Sequence, residues 1–432
     1  MAKEKTGYTP QTIRNKNNQV IFNALRTQGP APVRDLVEAS NLSKTAVQRI
    51  INNMIDSKIA KCLGKGESTD VGGKRPDVYV LDNQAAYCLC CYFSDKGYCI
   101  AAFDIHYNQI AIVDMMNQFD RLSYTETIDH IAASITKTLE EHSYIPARLT
   151  GIVFSCSGIV SSYSGTLVNP IPHPHWGTDL PFIDDIRARL NMDCPMYLDN
   201  SIRYSAYDTL NLEPSFRDQN VVFVNYYREN VGGCVMRRGY LVHGRTGLVG
   251  EFGHITTDYT FCEACSCGKT GCIESVVAQS HIVARAKREL PLWPSSPLHN
   301  VSNLSLADIS NAADSGDPFA KRQMDLIVQQ FTTLFYTLHI VFDPDLFVFS
   351  VFAPDIPMNY FCTELAQAVN KASLNNVQVP LQINILPGGD FDQLTADILT
   401  STFSGSAHFC FDQFFSHPEN FNTLFSVAPN ED

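Results

Sequence analysis

The densest chemistry in the chain lies between Gly250 and Glu274, a stretch reading GEFGHITTDYTFCEACSCGKTGCIE. Within these 25 residues stand one histidine, the four cysteines Cys262, Cys265, Cys267 and Cys272, and the carboxylates Glu251 and Glu274 among apolar neighbours. His254, Cys265, Cys267 and Cys272 form a three-sulfur, one-nitrogen donor set. Such a set suits a closed, tetrahedral Zn2+, which accepts thiolate and imidazole and leaves no substrate position. Gly268 and Gly271 let the backbone turn tightly enough for Cys267 and Cys272 to face one ion. Glu251 and Glu274 flank the ligands, so a metal here would fix the loop that presents them. The same residue types could instead form an inert thiol cluster with His254 in a core, but scattered core cysteines need no ordered Cys-x-Cys-Gly-x-x-Gly-Cys spacing. A redox dithiol would place Cys-x-x-Cys at the end of a strand. Cys262 is a fourth sulfur that either replaces a ligand or lies beside the set.

The second constellation is basic and sits at the other end of the chain. Residues 1–82 carry 13 Lys or Arg against 8 Asp or Glu, whereas the remaining residues carry 19 against 37. A basic module on an acidic body fits attraction of the module alone to a polyanion. Its elements follow from periodicity. Ile13 to Thr27 has helical spacing, Gly29-Pro30 stops it, and Val33 to Ser40 is a short second helix. Asn41-Leu42-Ser43 is a tight turn in which Ser43 is a good N-cap. A third helix, Lys44 to Ser57, sets Val47, Ile50, Ile51, Met54 and Ile55 on one face and shows Lys44, Thr45, Gln48, Arg49 and Asn52 on its opposite face. These residue types contact phosphates and base edges. Two strands, Ile59–Leu63 and Val78–Leu81, bracket a polar loop with Lys74 and Arg75. Three helices followed by a hairpin with a basic tip make a winged helix-turn-helix. Its candidate DNA contacts are Ser43, Lys44, Thr45, Gln48, Arg49, Lys74 and Arg75; the competing use of such a module is protein docking.

Beyond residue 83 strands and helices alternate, which gives an α/β body. Strands are expected at Ala86–Tyr92, Tyr98–Ile105, Gln109–Asp114, Leu149–Cys156, Pro195–Leu198, Val221–Val224, Gly233–Met236 and Leu346–Phe349. Helices are expected at Tyr124–Glu141, Asp184–Leu190, Leu304–Ala312 and Pro318–Ile340. A run of about 18 apolar residues, the length needed to span a bilayer, is absent. The polar N-terminus lacks the apolar core of a signal peptide. A cytoplasmic location is therefore expected, with the 14 cysteines reduced or metal-bound. The phenylalanine-rich tail from Phe409 to Asp432 is an extension whose packing partner the sequence does not identify.

With these residues in view, the chain resembles the ROK family, which groups bacterial sugar-responsive repressors and sugar kinases. The likeness covers about residues 13 to 400. It rests on Gly253-His254 followed by Cys265-Ser266-Cys267-Gly268-Lys269-Thr270-Gly271-Cys272-Ile273-Glu274, and on the segments Leu42-Ser43-Lys44-Thr45-Ala46-Val47 and Gly73-Lys74-Arg75-Pro76, which look like the repressor branch's winged helix. The resemblance implies a two-lobed, actin-like (ribonuclease H-like) α/β fold with sugar in the cleft between lobes. The expected division is 1–82 for the winged helix-turn-helix, 83–200 for the first lobe, and 201–432 for the second lobe with the zinc motif and the C-terminal helix. By the family's pattern Glu251, His254, Glu274 and Asn200 hydrogen-bond sugar hydroxyls, and Asn169 sits in the segment that covers the sugar. Trp176 would either stack on a sugar face or anchor its loop; His173 and His175 are expected in solvated loop.

The family's catalytic base is an aspartate following the asparagine, and here that position is Ser201. A serine cannot accept the sugar hydroxyl proton at neutral pH without a further activator. Three phosphate-cradle loops depart as well. The first matches Phe93-Ser94-Asp95-Lys96-Gly97, the second Asn230-Val231-Gly232-Gly233-Cys234, and the third Phe349-Ser350-Val351. Four departures in one nucleotide site imply lost ATP turnover. The resulting expectation is a DNA-binding repressor, a homodimer or homotetramer, whose affinity for an operator is set by a sugar or sugar phosphate through lobe closure. A sugar kinase with a regulatory head, or a regulator answering to a protein partner, are the other two readings.

Overall fold

The computed structural model describes residues 10–66, 75–94, 97–114, 122–142, 146–170, 173–227, 229–352, 356, 358–372, 377–378, 380–386 and 391–425. Two compact units divide it: residues 1–204 with 402–432, and residues 205–401.

The first unit begins with a small head. Helix α1 (Pro10–Gln28) is followed by strand β1 (Ala31–Pro32), helices α2 (Val33–Ser40) and α3 (Lys44–Asp56), and strands β2 (Ala60–Lys65) and β3 (Asp77–Leu81). Asn41 ends α2 in the left-handed conformation (φ 56°), and its N–H bonds to the Val37 carbonyl. Two residues later the Ser43 hydroxyl accepts from Ala46 N at 3.2 Å and starts α3. A helix stop and a helix start this close together produce the turn of a helix-turn-helix. Phe22, Leu25, Leu36, Val47, Ile50, Ile51 and Met54 close its core. β3 lies between β1 and β2, so the wing is a three-stranded sheet rather than a bare hairpin. Lys74 and most of the loop at the wing's tip lie outside the described residues.

The body of this unit is a five-stranded sheet. Its strands are β4 (Tyr87–Ser94), β5 (Gly97–Asp104), β6 (Gln109–Asp114), β7 (Leu149–Cys156) and, after the small hairpin β8 (Ile159–Ser161) and β9 (Thr166–Asn169), β10 (Met196–Asn200). Their order is β10-β7-β4-β5-β6, with β4–β5–β6 antiparallel and β7 and β10 parallel to β4. Helices α4 (Tyr124–Glu141) and α5 (Phe182–Leu190) pack on it, and Phe182 stacks on Phe93 at 5.0 Å. Helix α6 (Ser201–Leu212) leaves the last strand without a loop, and the backbone passes into the second unit within it.

The second unit repeats the plan. Strands β11 (Asn220–Tyr227), β12 (Asn230–Arg237) and β13 (Tyr240–Leu241) form an antiparallel start. Helices α7 (Ile273–Val276), α8 (Gln279–Glu289), α9 (Leu306–Asp314) and α10 (Pro318–Phe342) follow. Strand β14 (Leu346–Phe352), helix α11 (Asn359–Lys371) and strand β15 (Leu381–Leu386) complete it. The order is β13-β12-β11-β14-β15, with β14 and β15 parallel to β11. Read from the third strand to the fifth, both sheets run 3-2-1-4-5, the duplicated sheet of the actin-like architecture. Phe331, Phe335, Phe347, Phe349 and Phe361 fill the second core.

The C-terminal helix differs from expectation. α12 (Phe391–Ser416) does not finish the second unit: from Thr402 onward it packs in the first, followed by α13 (Phe421–Phe425). Phe403 faces Phe103, Tyr107 stacks on His408 at 3.6 Å, and Cys410 lies against Thr150. The reason is burial, since the apolar side chains Phe403, Ala407, Cys410, Phe411, Phe414 and Phe415 find their cover there.

Candidate functional site

The Cys/His loop is built by close backbone approach. The turn Phe252–His254 presents His254; the Ile255 carbonyl then receives the Ile273 N–H at 2.9 Å, and the Gly271 carbonyl receives that of Thr257 at 2.9 Å. Gly271 sits at φ 74°, and a Cβ there would come within 2.2 Å of the Asp258 carbonyl oxygen. No side chain fits that position, so the glycine is what lets the two strands of the loop close.

Four donor atoms converge, with His254, Cys265, Cys267 and Cys272 all within 4.8 Å of one another. His254 Nδ1 lies 3.4 Å from Cys265 Sγ, and Cys267 Sγ lies 3.6 Å from Cys272 Sγ. Zinc bonds of about 2.3 Å to sulfur and 2.0 Å to nitrogen give tetrahedral edges of roughly 3.8 and 3.5 Å. The donor set therefore fits the ion. Burial pushes the Cys265 thiol up, but hydrogen bonds from the Cys267 backbone, Ser275 and Ser266 outweigh it and bring it down to about 7. Cys272 goes the other way, to about 12, from burial and then its hydrogen bond with Cys267. One thiolate is thus nearly prepared and another needs the ion's charge to form. Cys262 is exposed, donates to the Thr260 carbonyl at 3.3 Å, and stays outside the set. Deep in the first unit Cys88, Cys90, Cys91 and Cys410 are different: burial raises their thiols, which keeps them protonated and inert.

The two carboxylates take opposite sides of the imidazole. Glu251 Oε2 lies 4.0 Å from His254 Nε2, and Glu274 Oε1 lies 4.0 Å from Nδ1. A metal on Nδ1 would leave the ring proton on Nε2, on the side of Glu251, where a ligand oxygen could accept it. Glu274 is more enclosed. It accepts from the Val231 N–H at 3.3 Å and from the Ser266 hydroxyl at 3.4 Å, which ties the Cys/His loop to β12. Sequence reasoning missed the glycines that make this possible. A Cβ on Gly253 would stand 2.2 Å from the Val231 carbonyl oxygen, and one on Gly233 would stand 2.1 Å from that of Phe223. Gly233, read from sequence as a remnant of a phosphate cradle, is required by packing in any case.

In the first unit, Asn200 ends β10. Its amide donates to the Gly158 carbonyl at 2.9 Å and its Oδ1 accepts from Ile202 N at 2.9 Å. One donor and one acceptor position remain for a ligand. Asn169 is exposed at the end of β9. Ser201 is buried at the start of α6. Asp199 is buried too: it accepts from Arg203 Nη1 at 2.5 Å, with side-chain exposures of 4% and 3%. The pair has i,i+4 spacing, the one sequence signal that could have revealed it.

Of the three cradle loops, the first is the β4–β5 hairpin, where Ser94 pairs with Gly97 and residues 95–96 lie outside the described residues. The third is no loop at the matched residues: Ser350 is paired with Asn225 on one side and Asn384 on the other, inside β14. The histidine loop also differs from expectation. His173 is buried rather than solvated; its Nε2 lies 2.8 Å from the Ser94 carbonyl oxygen and its ring stacks on Trp176 at 3.9 Å. Trp176 donates its indole N–H to the Leu122 carbonyl at 3.0 Å, which makes it a packing anchor. His175 is exposed, as expected.

In the head, Lys44, Thr45, Arg49 and Asn52 are exposed along α3, Gln48 is half-buried, and Arg75 is exposed at the start of the return strand's approach. Thr45, Gln48, Arg49 and Asn52 form one i, i+3, i+4, i+7 stripe, opposite the buried stripe of Val47, Ile50, Ile51 and Met54.

Two like-ordered α/β sheets, a Cys3His donor set beside paired carboxylates, and a helix-turn-helix head define an actin-like protein of the sugar-kinase and repressor class. The chain belongs to the ROK family, whose model matches residues 106–383. It is 24% identical over 324 residues to the DNA-binding transcriptional repressor Mlc of Escherichia coli K12, covering 74% of this chain and 77% of that protein. It is 28% identical over 204 residues to the glucokinase of Halalkalibacterium halodurans, covering 46% of this chain and 60% of that enzyme. Among solved structures, a ROK family transcriptional regulator described as a homologue of E. coli Mlc superimposes with a TM-score of 0.71 at 18% identity, over 96% of this chain and 100% of the other.

Proposed function

We propose that this chain is a DNA-binding transcriptional repressor of the cytoplasm whose affinity for a double-stranded operator is set by a sugar or sugar phosphate, and that it does not turn over ATP. One observation carries the second half of that reading. Where a kinase of this family places its base the chain has Ser201, and the carboxylate two positions earlier, Asp199, is buried and held by Arg203. A carboxylate locked in a buried ion pair cannot collect a substrate proton without first breaking the pair. The glucokinase likeness keeps a sugar kinase with a regulatory head as the second reading. Incubation with ATP, Mg2+ and a panel of hexoses separates the two: sugar phosphate at ordinary turnover would defeat the repressor-only reading, and none is expected. A thermal-shift screen with the same sugars and their phosphates should still reveal a binder, because binding raises the melting temperature without chemistry.

The residues are assigned as follows. Ser43, Lys44, Thr45, Gln48, Arg49, Lys74 and Arg75 contact DNA. Asn169, Asn200, Glu251, His254 and Glu274 contact sugar hydroxyls, which ionised carboxylates accept from and amides both accept from and donate to. His254, Cys265, Cys267 and Cys272 hold Zn2+, which supplies rigidity and fixes the imidazole tautomer rather than activating a substrate. A twofold operator calls for a homodimer or homotetramer.

A further inference from the structure

Two polar side chains on the outward stripe of α3 are paired with one another. Gln48 Nε2 donates to Asn52 Oδ1 at 3.0 Å, an i,i+4 contact on the exposed stripe. The pair has two consequences. A glutamine side chain carries two N–H donors and one carbonyl oxygen, and the contact uses one donor only. It therefore leaves one N–H and the Oε1 of Gln48 outside this contact, on a single planar amide. With Asn52 Oδ1 turned toward Gln48, the Nε2 end of the Gln48 amide faces Asn52. A glutamine presenting one acceptor and one donor in a plane matches the major-groove edge of adenine, whose N6 amino group donates and whose N7 accepts. It does not match guanine, which offers two acceptors there, or cytosine, which offers a single donor.

The neighbours support a reading role over a purely helix-stabilising one. Gln48 lies between Thr45 and Arg49 on the stripe opposite the core residues Val47, Ile50 and Ile51, within two turns of the Ser43 cap. The N-terminal residues of a second helix are those that reach base edges in a helix-turn-helix. An exposed pair meant only to stabilise α3 would serve equally well on any side of the helix.

Resting on the DNA-binding reading, we infer that Gln48 reads an adenine in each half-site, and that Asn52 is a positioning residue that fixes the Gln48 amide for it. The Oε1 accepts from adenine N6 and the remaining Nε2–H donates to N7. One such bidentate contact gives a preference of about 10- to 100-fold for adenine over the other bases at that position.

The test is selection from a randomised duplex pool with the full-length chain, the Gln48→Glu variant and the Asn52→Ala variant, each followed by competition binding on single-base substitutions of the selected site. The wild type should select a site with a strongly preferred adenine in each half. Gln48→Glu, which can accept but not donate, should keep the rest of the site and replace that adenine with cytosine. Asn52→Ala should lose most of the adenine preference at that position while its affinity for unrelated duplex stays within about twofold, a separation that a damaged fold would not give. If the wild type selects a site and both variants select the same bases at every position, Gln48 is not the reader and the inference is overturned. If the wild type enriches no sequence at all, the DNA-binding reading fails first and takes the inference with it. Unchanged thermal melting of both variants confirms that the head is intact.

Discussion

At the scale of single residues, the buried pair Asp199–Arg203 and the metal set govern different things. Arg203 supplies the counter-charge to a buried carboxylate at the end of β10, so removing it breaks a buried ion pair. Arg203→Leu should destabilise the chain by about 3 kcal/mol, read as a lower denaturant midpoint. Adding Asp199→Asn should recover much of that loss, and additive losses would show that the two side chains do not act as a pair. In the metal set, burial pushes the Cys272 thiol up, and Cys272 is the most deeply placed of the three cysteines. Cys272→Ser should reduce bound zinc from one per chain to near zero by elemental analysis, whereas Cys262→Ser should leave it unchanged. Zinc loss in the second variant would return Cys262 to the ligand set. The donor set was legible because its three cysteines crowd into eight residues of sequence. The burial of His173 was not, because its partner, the Ser94 carbonyl, lies 79 residues away and no local pattern records it.

At the scale of elements, the head is fastened to the body of its unit by side chains on both sides. Arg26 of α1 pairs with Asp412 of α12 at 2.9 Å and donates to the Tyr107 hydroxyl at 2.8 Å. Gln19 donates to the Phe415 carbonyl at 2.8 Å, and Phe22 lies 4.3 Å from the Phe415 ring. From the body, Arg148 donates to the carbonyls of Ser57 and Ala85 at 2.7 and 3.0 Å, which catches the end of α3. Phe22→Ala removes a fully buried ring and should cost about 3–5 kcal/mol. Hydrogen exchange should then rise in α1 and α12 together; a rise in α1 alone would mean the two helices are not one cooperative piece. The three helices of the head were readable from their period and caps, with boundaries near those observed. α12 was not. Its buried residues Phe403, Ala407, Cys410, Phe411 and Phe414 do recur at helical spacing, but small polar residues such as Thr402 and Ser406 are buried among them, which blurs the apolar pattern in the sequence. The short strand β1 escaped notice because two residues ending in Pro32 carry no alternation to read.

At the scale of the whole molecule, charge is divided along the chain rather than balanced. The net charge is −13, yet the first 82 residues carry a surplus of basic groups. Operator affinity should therefore fall by at least about tenfold between 50 and 200 mM salt, as phosphate neutralisation by Lys and Arg requires. A salt-independent affinity would argue against phosphate contacts from the head. Composition made that asymmetry visible, and the two-sheet duplication was expected from family likeness. Neither showed that the second sheet's topology repeats the first, because the two share strand order without sharing a repeated sequence.

The return of α12 to the first unit also sets the order in which the protein can be finished. The head is made long before its cover, since Phe415 and Phe421 lie more than 390 residues after the aromatic ring they bury. During synthesis, α1 emerges with Phe22 uncovered and stays so until Phe415 and Phe421 have been made. A chain released early, before Thr402, should therefore be a poor competitor for operators and a good substrate for proteases, which pulse-chase of a truncated reading frame would show. Such an order ties the final packing of the head to synthesis of the chain between α1 and α12.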